Sequence, residues 1–291
     1  MASPRPKLAC EIAADRVIAA RASDKGGVAE CASYDLLPGS LVPDLTESNV
    51  RARNAVHQTV RDALDSIAGR SRDVIAVLPD AAVRVVLLDF ETLPKNRSEA
   101  EAVVRFRLKK SLPFDVEKAR VSYHAQTVNN GVRAVAAVAL TSVVEEYEAA
   151  FRDAGYNPGV VLPSMLAALG AAEAEKPTLV VKVDARTTSI AILDRDQVLL
   201  VRTLDNAAGI PMTGERLAEE VYPSIVFFQD TYHLNIGRIF ISGLPESGGA
   251  GPALEAQTGA AVKELIADSQ LEAVSKIPTW RMGAVVGALV S

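Results

Sequence analysis

The chain has 291 residues, 49% of them hydrophobic, 23% charged and 5% aromatic, and a formal net charge of -5. That balance excludes a disordered polypeptide, and it excludes a general nucleic-acid binder, which needs a basic surface to displace counterions from phosphate. The two cysteines, Cys10 and Cys31, lie in no CxxC pair and near no histidine at metal-ligand spacing, so reduced thiols in a cytoplasmic protein are expected.

The opening stretch MASPRPKLACEIAADRV lacks an apolar run of signal-peptide length, and no later run reaches the roughly 18–20 apolar residues of a membrane span. The chain ends at Ser291 without such a span, and the expectation is a cytoplasmic protein that meets the membrane through a partner.

In chain order, two adjacent strands are expected at 7–13 and 16–22, then a polar segment with Gly26-Gly27 and the Pro/Gly-rich loop LLPGSLVPD. Val56, Val60, Leu64 and Ile67 share one face of a helix that Gly69 can end. The β-branched runs DVIAVLP and VRVVLLDF flank Pro79-Asp80-Ala81-Ala82. Ser98 and Glu101 have the spacing of a capping box for the next helix, which carries Ala100, Val104 and Leu108 on one face and stops at Pro113.

RAVAAVAL reads as a buried strand, SVVEEYEAAFRDAG as an amphipathic helix closed by Gly155, and PSMLAALGAAEAE as another helix. The acidic, alanine-rich AAEAEKP is the expected boundary between halves. TLVVKVDA, SIAIL and VLLVRTL follow as three strands, then a long helix from Thr213 to His233, the strand RIFISGL, and a closing helix from Thr279 to Val290. Strands and helices interleave throughout, the pattern of an α/β protein.

The segments CEIAADRVIAA and VDARTTSIAIL align without gaps, which places Glu11 opposite Asp184 and suggests duplicated halves. The sequence contains no P-loop, no G-x-G-x-x-G after a strand and no G-x-S-x-G elbow, and His57, His124 and His233 lie far apart with no acid or cysteine at ligand spacing. No metal site is expected from protein ligands alone.

Three stretches together resemble the PilM-type pilus assembly proteins, relatives of the cell-division protein FtsA in the actin-like ATPase superfamily: LPKNRSEAEAVVRFRLKKSLPFD, TLVVKVDARTTSIAIL and RIFISGLPE. The segments EEYEAAFRDAGYNPGVVLPSMLAALGA and GERLAEEVYPSIVFFQDTYHLNIGRIFISG are similar to intervening parts of that family, so the resemblance runs along nearly the whole chain. It implies an α/β, actin-like, ribonuclease H-like fold of two domains, 1–176 and 177–291, with an FtsA-like small subdomain inserted at 88–158 and a helical part of the second domain at 206–235.

The resemblance also implies a nucleotide cleft whose phosphates lie between two D-x-G turns, where glycines admit backbone amides and the acids hold magnesium-bound water. The expected equivalents are Glu11 with Ala13 at the glycine, and Asp184 followed by Ala185 and Arg186, with Thr187 and Thr188 keeping hydroxyls. The adenosine side has Gly243 followed by Leu244-Pro245 in place of a Gly-Gly pair; Gly248-Gly249 is either a substitute or a loop. Arg186 is either a phosphate-holding guanidinium or a solvated turn arginine.

All three turns depart from the pattern, so the expectation is vestigial Glu11 and Asp184, no catalysis, and no bound cofactor. If the cleft does function, ATP binds there with Mg²⁺ held through water at Asp184. The implied role is a cytoplasmic scaffold at the inner membrane that binds the N-terminal tail of a PilN-type protein and contacts pilus motor or platform proteins. Candidate tail-binding residues by motif position are Leu93, Arg105, Leu108, Leu112 and Phe114, flanked by the basic Arg107, Lys109 and Lys110. The alternatives are an active ATPase, and the cytoplasmic part of a type II secretion platform protein.

Overall fold

The computed structural model describes residues 5–24, 26–129, 131–207, 210–245, 249–272 and 276–291. In the first half, β1 (Leu8–Ile12), β2 (Arg16–Ala22), β3 (Val28–Asp35), β4 (Asp73–Leu78) and β8 (Asn157–Pro163) form one sheet in the order β3-β2-β1-β4-β8. The first three strands are antiparallel neighbours, and β4 and β8 continue the sheet in parallel.

The second half repeats this arrangement with β9 (Thr178–Val183), β10 (Thr187–Asp194), β11 (Gln197–Asp205), β12 (Arg238–Ser242) and β13 (Val262–Glu264), ordered β11-β10-β9-β12-β13. Both central strands, LACEI and TLVVKV, are buried along their whole length because helices cover both faces of each sheet. Helices α1 (Arg53–Asp65) and α3 (Thr141–Asp153) cover the outer face of the first sheet, and α5 (Gly214–Tyr232) and α6 (Ala250–Thr258) that of the second.

Between the sheets lie α4 (Ser164–Leu169) and the closing helix α7 (Gly283–Val290), in one apolar core with Ala9, Ile75, Val180 and Ala191. The two helices cross closely because Gly287 faces α4, where a Cβ would stand 2.2 Å from the Ala167 carbonyl oxygen. α7 therefore belongs by packing with β1, β2 and β4, although it follows the second sheet in sequence.

A third sheet, ordered β5-β7-β6, is built from β5 (Arg84–Phe90), β6 (Ala119–Val128) and β7 (Gly131–Leu140), and α2 (Arg97–Leu108) packs on one face of it. α3 lies within the sequence range expected for the inserted subdomain, yet its Tyr147 and Phe151 are buried in the core of the first sheet. The cap of α2 is Asn96, not Ser98: the Asn96 side chain accepts from the Ser98 and Glu99 amides at 2.9 and 3.3 Å. The first helix ends at Ser66, before Gly69 is reached.

Strands β3, β6, β8 and β13 and helix α6 are elements that the sequence patterns did not separate from loops. β6 alternates exposed polar residues with half-buried ones, and β8 begins Asn-Pro-Gly, so neither has the continuous apolar run of a central strand. Among the described residues no helix is long and apolar enough to cross a membrane.

Candidate functional site

The two central hairpins face one another across the middle of the molecule, and their registers define equivalent positions. β1 and β2 pair as far as Ile12 with Val17, and the Ala13 amide closes the turn on the Arg16 carbonyl at 2.9 Å. β9 and β10 pair as far as Val183 with Thr188, and the Asp184 amide closes that turn on the Thr187 carbonyl, also at 2.9 Å. Ala13 and Asp184 therefore occupy the same place, and the counterpart of Glu11 is Lys182.

This corrects the ungapped alignment by two residues. In hairpin register the D-x-G positions are Glu11-Ile12-Ala13 and Lys182-Val183-Asp184. A cation stands at one acid position, and a carboxylate stands at one glycine position.

Glu11 and Lys182 meet. The Lys182 Nζ lies 3.2 Å from Glu11 Oε1 and 3.9 Å from Asp184 Oδ2, and the side chains of Lys182 and Glu11 are only 7% and 6% exposed. The Ser164 hydroxyl, at the start of α4, donates to the same Glu11 oxygen. Burial by itself would depress the Lys182 ammonium, but the neighbouring Glu11, Asp184 and Asp80 carboxylates outweigh it and hold the group above its ordinary value.

Asp80, in the single-turn helix after β4, completes the cluster. Its Oδ1 accepts from the Met165 amide and its Oδ2 from the Ser189 hydroxyl of β10, both at 2.8 Å. Burial pushes its carboxyl up to about 6 and Asp184 adds to the rise, while Lys182, the Met165 amide and Ser189 oppose it.

The Asp184 carboxylate is engaged by its own turn. Oδ1 accepts from the Arg186 and Thr187 amides, each at 2.7 Å, and Oδ2 accepts from the Thr187 hydroxyl at 3.1 Å. Asn206, just beyond β11, anchors the turn: it donates to the Asp184 carbonyl at 2.8 Å and accepts from the Thr188 hydroxyl at 2.8 Å. The amides and hydroxyls expected to face a phosphate are thus turned inward, an Asx turn.

Arg186 itself is exposed. Its charge helps to hold the Asp44 carboxyl below the usual range, a shift due first to the Thr46 and Glu47 amides that bond that carboxylate.

Gly243 has a structural task. Its φ is +90°, and a Cβ there would fall 1.7 Å from the Val183 carbonyl oxygen at the end of β9. Its amide and the Ser242 hydroxyl both donate to the Trp280 carbonyl, at 2.6 and 3.1 Å. Gly249 caps α6, and Gly248 lies outside the described residues. Among the described residues no three His, Cys, Asp or Glu side chains gather as a metal site.

The sequence patterns missed Lys182, Asp80 and Ser164. A signal existed for the first: Lys182 interrupts the otherwise apolar strand TLVVKV, and a charge on a strand buried on both faces needs a partner.

The structure gathers Leu93, Arg105, Leu108, Leu112 and Phe114 around α2. Leu108 is fully buried in the core of the small sheet, with Leu93, Leu112 and Phe114 half-buried against it. Arg105 bonds Glu101 at 2.9 Å and the Val116 and Ala119 carbonyls at 3.1 and 3.2 Å, so it ties the helix to the start of β6.

The opposite face of that sheet lines a groove of about 1250 Å³. β6 and β8 form its sides, Val135 and Ala137 lie in its wall, and Val160 and Leu162 present apolar surface from β8. Each of the two flanking strands is at the edge of its sheet. A smaller cavity of about 270 Å³ shares Ser122, Ala137, Val161, Leu162 and Pro163 with the groove and extends it toward Val144.

Two sheets of one topology, with helices on both faces of each, a hairpin of each facing a shared cleft and a small subdomain between β4 and β8, define the architecture. The fold is actin-like. The chain is similar end to end to the solved PilM-PilN type IV pilus biogenesis complex, with 21% identity, 98% of each chain covered and a TM-score of 0.81.

It is also similar to the cytoplasmic domain of EpsL, an inner-membrane component of the type II secretion system of Vibrio cholerae, at 13% identity over 98% of this chain and 94% of that one, with a TM-score of 0.55. The ethanolamine utilization protein EutJ from Carboxydothermus hydrogenoformans matches at 13% identity over 99% and 90% of the two chains, with a TM-score of 0.52. No family model matches the sequence, and no curated protein matches it significantly.

Proposed function

We propose that the protein is an actin-like adaptor of a type IV pilus assembly platform, placed at the cytoplasmic side of the inner membrane by the N-terminal tail of a PilN-type partner. The end-to-end likeness to the PilM-PilN complex carries this proposal. The tail-binding surface is the groove between β6 and β8, not the α2 face. It joins apolar side chains to two strands that are each at the edge of a sheet, which suits capture of a short extended peptide.

The adaptor works without nucleotide. The cleft residues do not fit Mg-ATP: both glycine positions carry side chains, Lys182 replaces one acid, Glu11 is paired to it, and Asp184 holds the amides of its own turn. Calorimetric titration of ATP with Mg²⁺ tests this directly, and micromolar binding lost in Glu11→Gln would restore the ATPase alternative.

Fluorescence anisotropy with labelled peptides from the N-termini of membrane proteins encoded beside this gene tests the adaptor role. Micromolar binding abolished by Leu162→Asp supports it, and no binding by any such peptide removes its main content. The likeness to EpsL favours a second assembly, a type II secretion platform; the identity of the peptide that binds separates the two.

A further inference from the structure

The charged cluster of the cleft joins the two halves. Glu11 on β1, Asp80 after β4 and Ser164 on α4 come from the first half, and Lys182 on β9, Asp184 and Ser189 from the second. Two buried contacts cross between them, Lys182 to Glu11 at 3.2 Å and Ser189 to Asp80 at 2.8 Å.

We propose that Lys182 is a tethered substitute for the metal ion of an actin-like cleft, an ammonium that bridges carboxylates of both halves and keeps them closed without nucleotide or divalent cation. This role rests on the nucleotide-free adaptor proposed above and adds the group that makes it possible.

The position carries the argument. Two acid positions related by the duplicated hairpins would repel each other across a closed cleft of low dielectric, and a closed state then needs a cation between them. Here one of the two positions carries the cation itself. Lys182 pairs with its own counterpart, Glu11, and reaches Asp184, which belongs to the turn that would otherwise face phosphate. Ser164 supplies the remaining hydrogen bond to Glu11, as an oxygen or water ligand does for a metal-bound carboxylate.

A covalently attached cation cannot dissociate, so closure becomes a constant of the fold. A mobile cation would make it respond to ligand. Such a protein offers its partner groove in one fixed geometry.

The test uses the full chain, with Mn²⁺ as probe followed by electron paramagnetic resonance. Wild type is expected to bind no Mn²⁺ in the millimolar range. Lys182→Ala is expected to gain a Mn²⁺ site at least about tenfold tighter than wild type, and the double variant with Glu11→Gln is expected to lose it. Where Lys182→Ala is unfolded in chelator, recovery of its thermal transition with millimolar Mn²⁺ carries the same conclusion.

Three results overturn the proposal: no gain of Mn²⁺ binding in folded Lys182→Ala, no rescue of an unfolded one by Mn²⁺, or a wild-type Mn²⁺ site abolished by Glu11→Gln. ATP titrated into wild type in the presence of chelator separates the two claims. Micromolar binding there refutes the nucleotide-free adaptor and leaves Lys182 as the cation, whereas absence of a Mn²⁺ gain refutes the Lys182 role and leaves the adaptor standing.

Discussion

The contact between the two central hairpins and the groove beside the small sheet both lie between subdomains, but they are opposite in chemistry. Between the hairpins, the Lys182, Glu11, Asp80 and Asp184 side chains find their partners within the protein. The groove is open and sets apolar side chains such as Val160 and Leu162 among polar and charged ones such as His124, Asp73 and Asp196, and the two strands beside it each pair on one side only. A surface whose polar groups are already satisfied gains little from a ligand, whereas exposed apolar area and strand edges gain from one. On the proposed reading, peptide is captured at the flank of the molecule and not between the two central hairpins.

The strongest way to break the closed cleft is Lys182→Met, which leaves Glu11 buried without its cation. A loss of about 3–5 kcal/mol in unfolding free energy is expected by urea denaturation. A change below about 1 kcal/mol would show that the cleft is hydrated and its charges screened.

Gly243→Ala is expected to cost about 3 kcal/mol, because the positive φ and the adjacent Val183 carbonyl both exclude a Cβ. Its effect belongs to the fold of the second half, so peptide binding at the groove should survive wherever the variant is folded.

Asp80 sharpens the electrostatic half of the comparison. Its folded value of about 6 lies above the ordinary 3.8, so the folded state holds the proton more tightly than the unfolded chain. The stability this provides is fully present below pH 4 and lost as pH rises through about 6. Asp80→Asn, which resembles the protonated acid, should flatten that slope by on the order of 2–3 kcal/mol between the two limits, measured as thermal stability against pH.

For the groove the expected order reverses, with a large effect on binding and a small one on stability. Val160→Lys, on exposed edge strand β8, should weaken peptide binding about tenfold while changing stability by less than about 0.5 kcal/mol. Arg186→Ala gives the smallest effect: an exposed turn residue whose backbone, not its guanidinium, holds Asp184 should alter stability by less than about 0.5 kcal/mol.

Much of the architecture was legible in residue patterns. The continuous apolar strands around Ala9 and Val180, the helix face of Val56, Val60 and Leu64, and the long helix ending near His233 all follow local periodicity. Edge strands β6 and β8 were not legible, because half-exposed strands carry mixed residues and Pro or Gly resembling those of loops. The candidate peptide-binding residues were drawn from α2 by motif, while alternation along β7 turns Ala134 and Ala136 toward α2 and Val135 and Ala137 toward the groove.

The sequence by itself determined that two buried hairpins with altered turns exist, since Ala13 and Arg186 are visible without coordinates. It also held a signal that went unread, Lys182 inside an apolar strand, where a buried charge needs a partner. Only the tertiary structure decided which residues of the two hairpins are equivalent, because register depends on where each turn closes, and a shift of two residues leaves the alternation of side chains unchanged. That shift exchanges Asp184 for Lys182 at the acid position, and the long-range pairing of Lys182 with Glu11 makes a buried ion pair between the two halves.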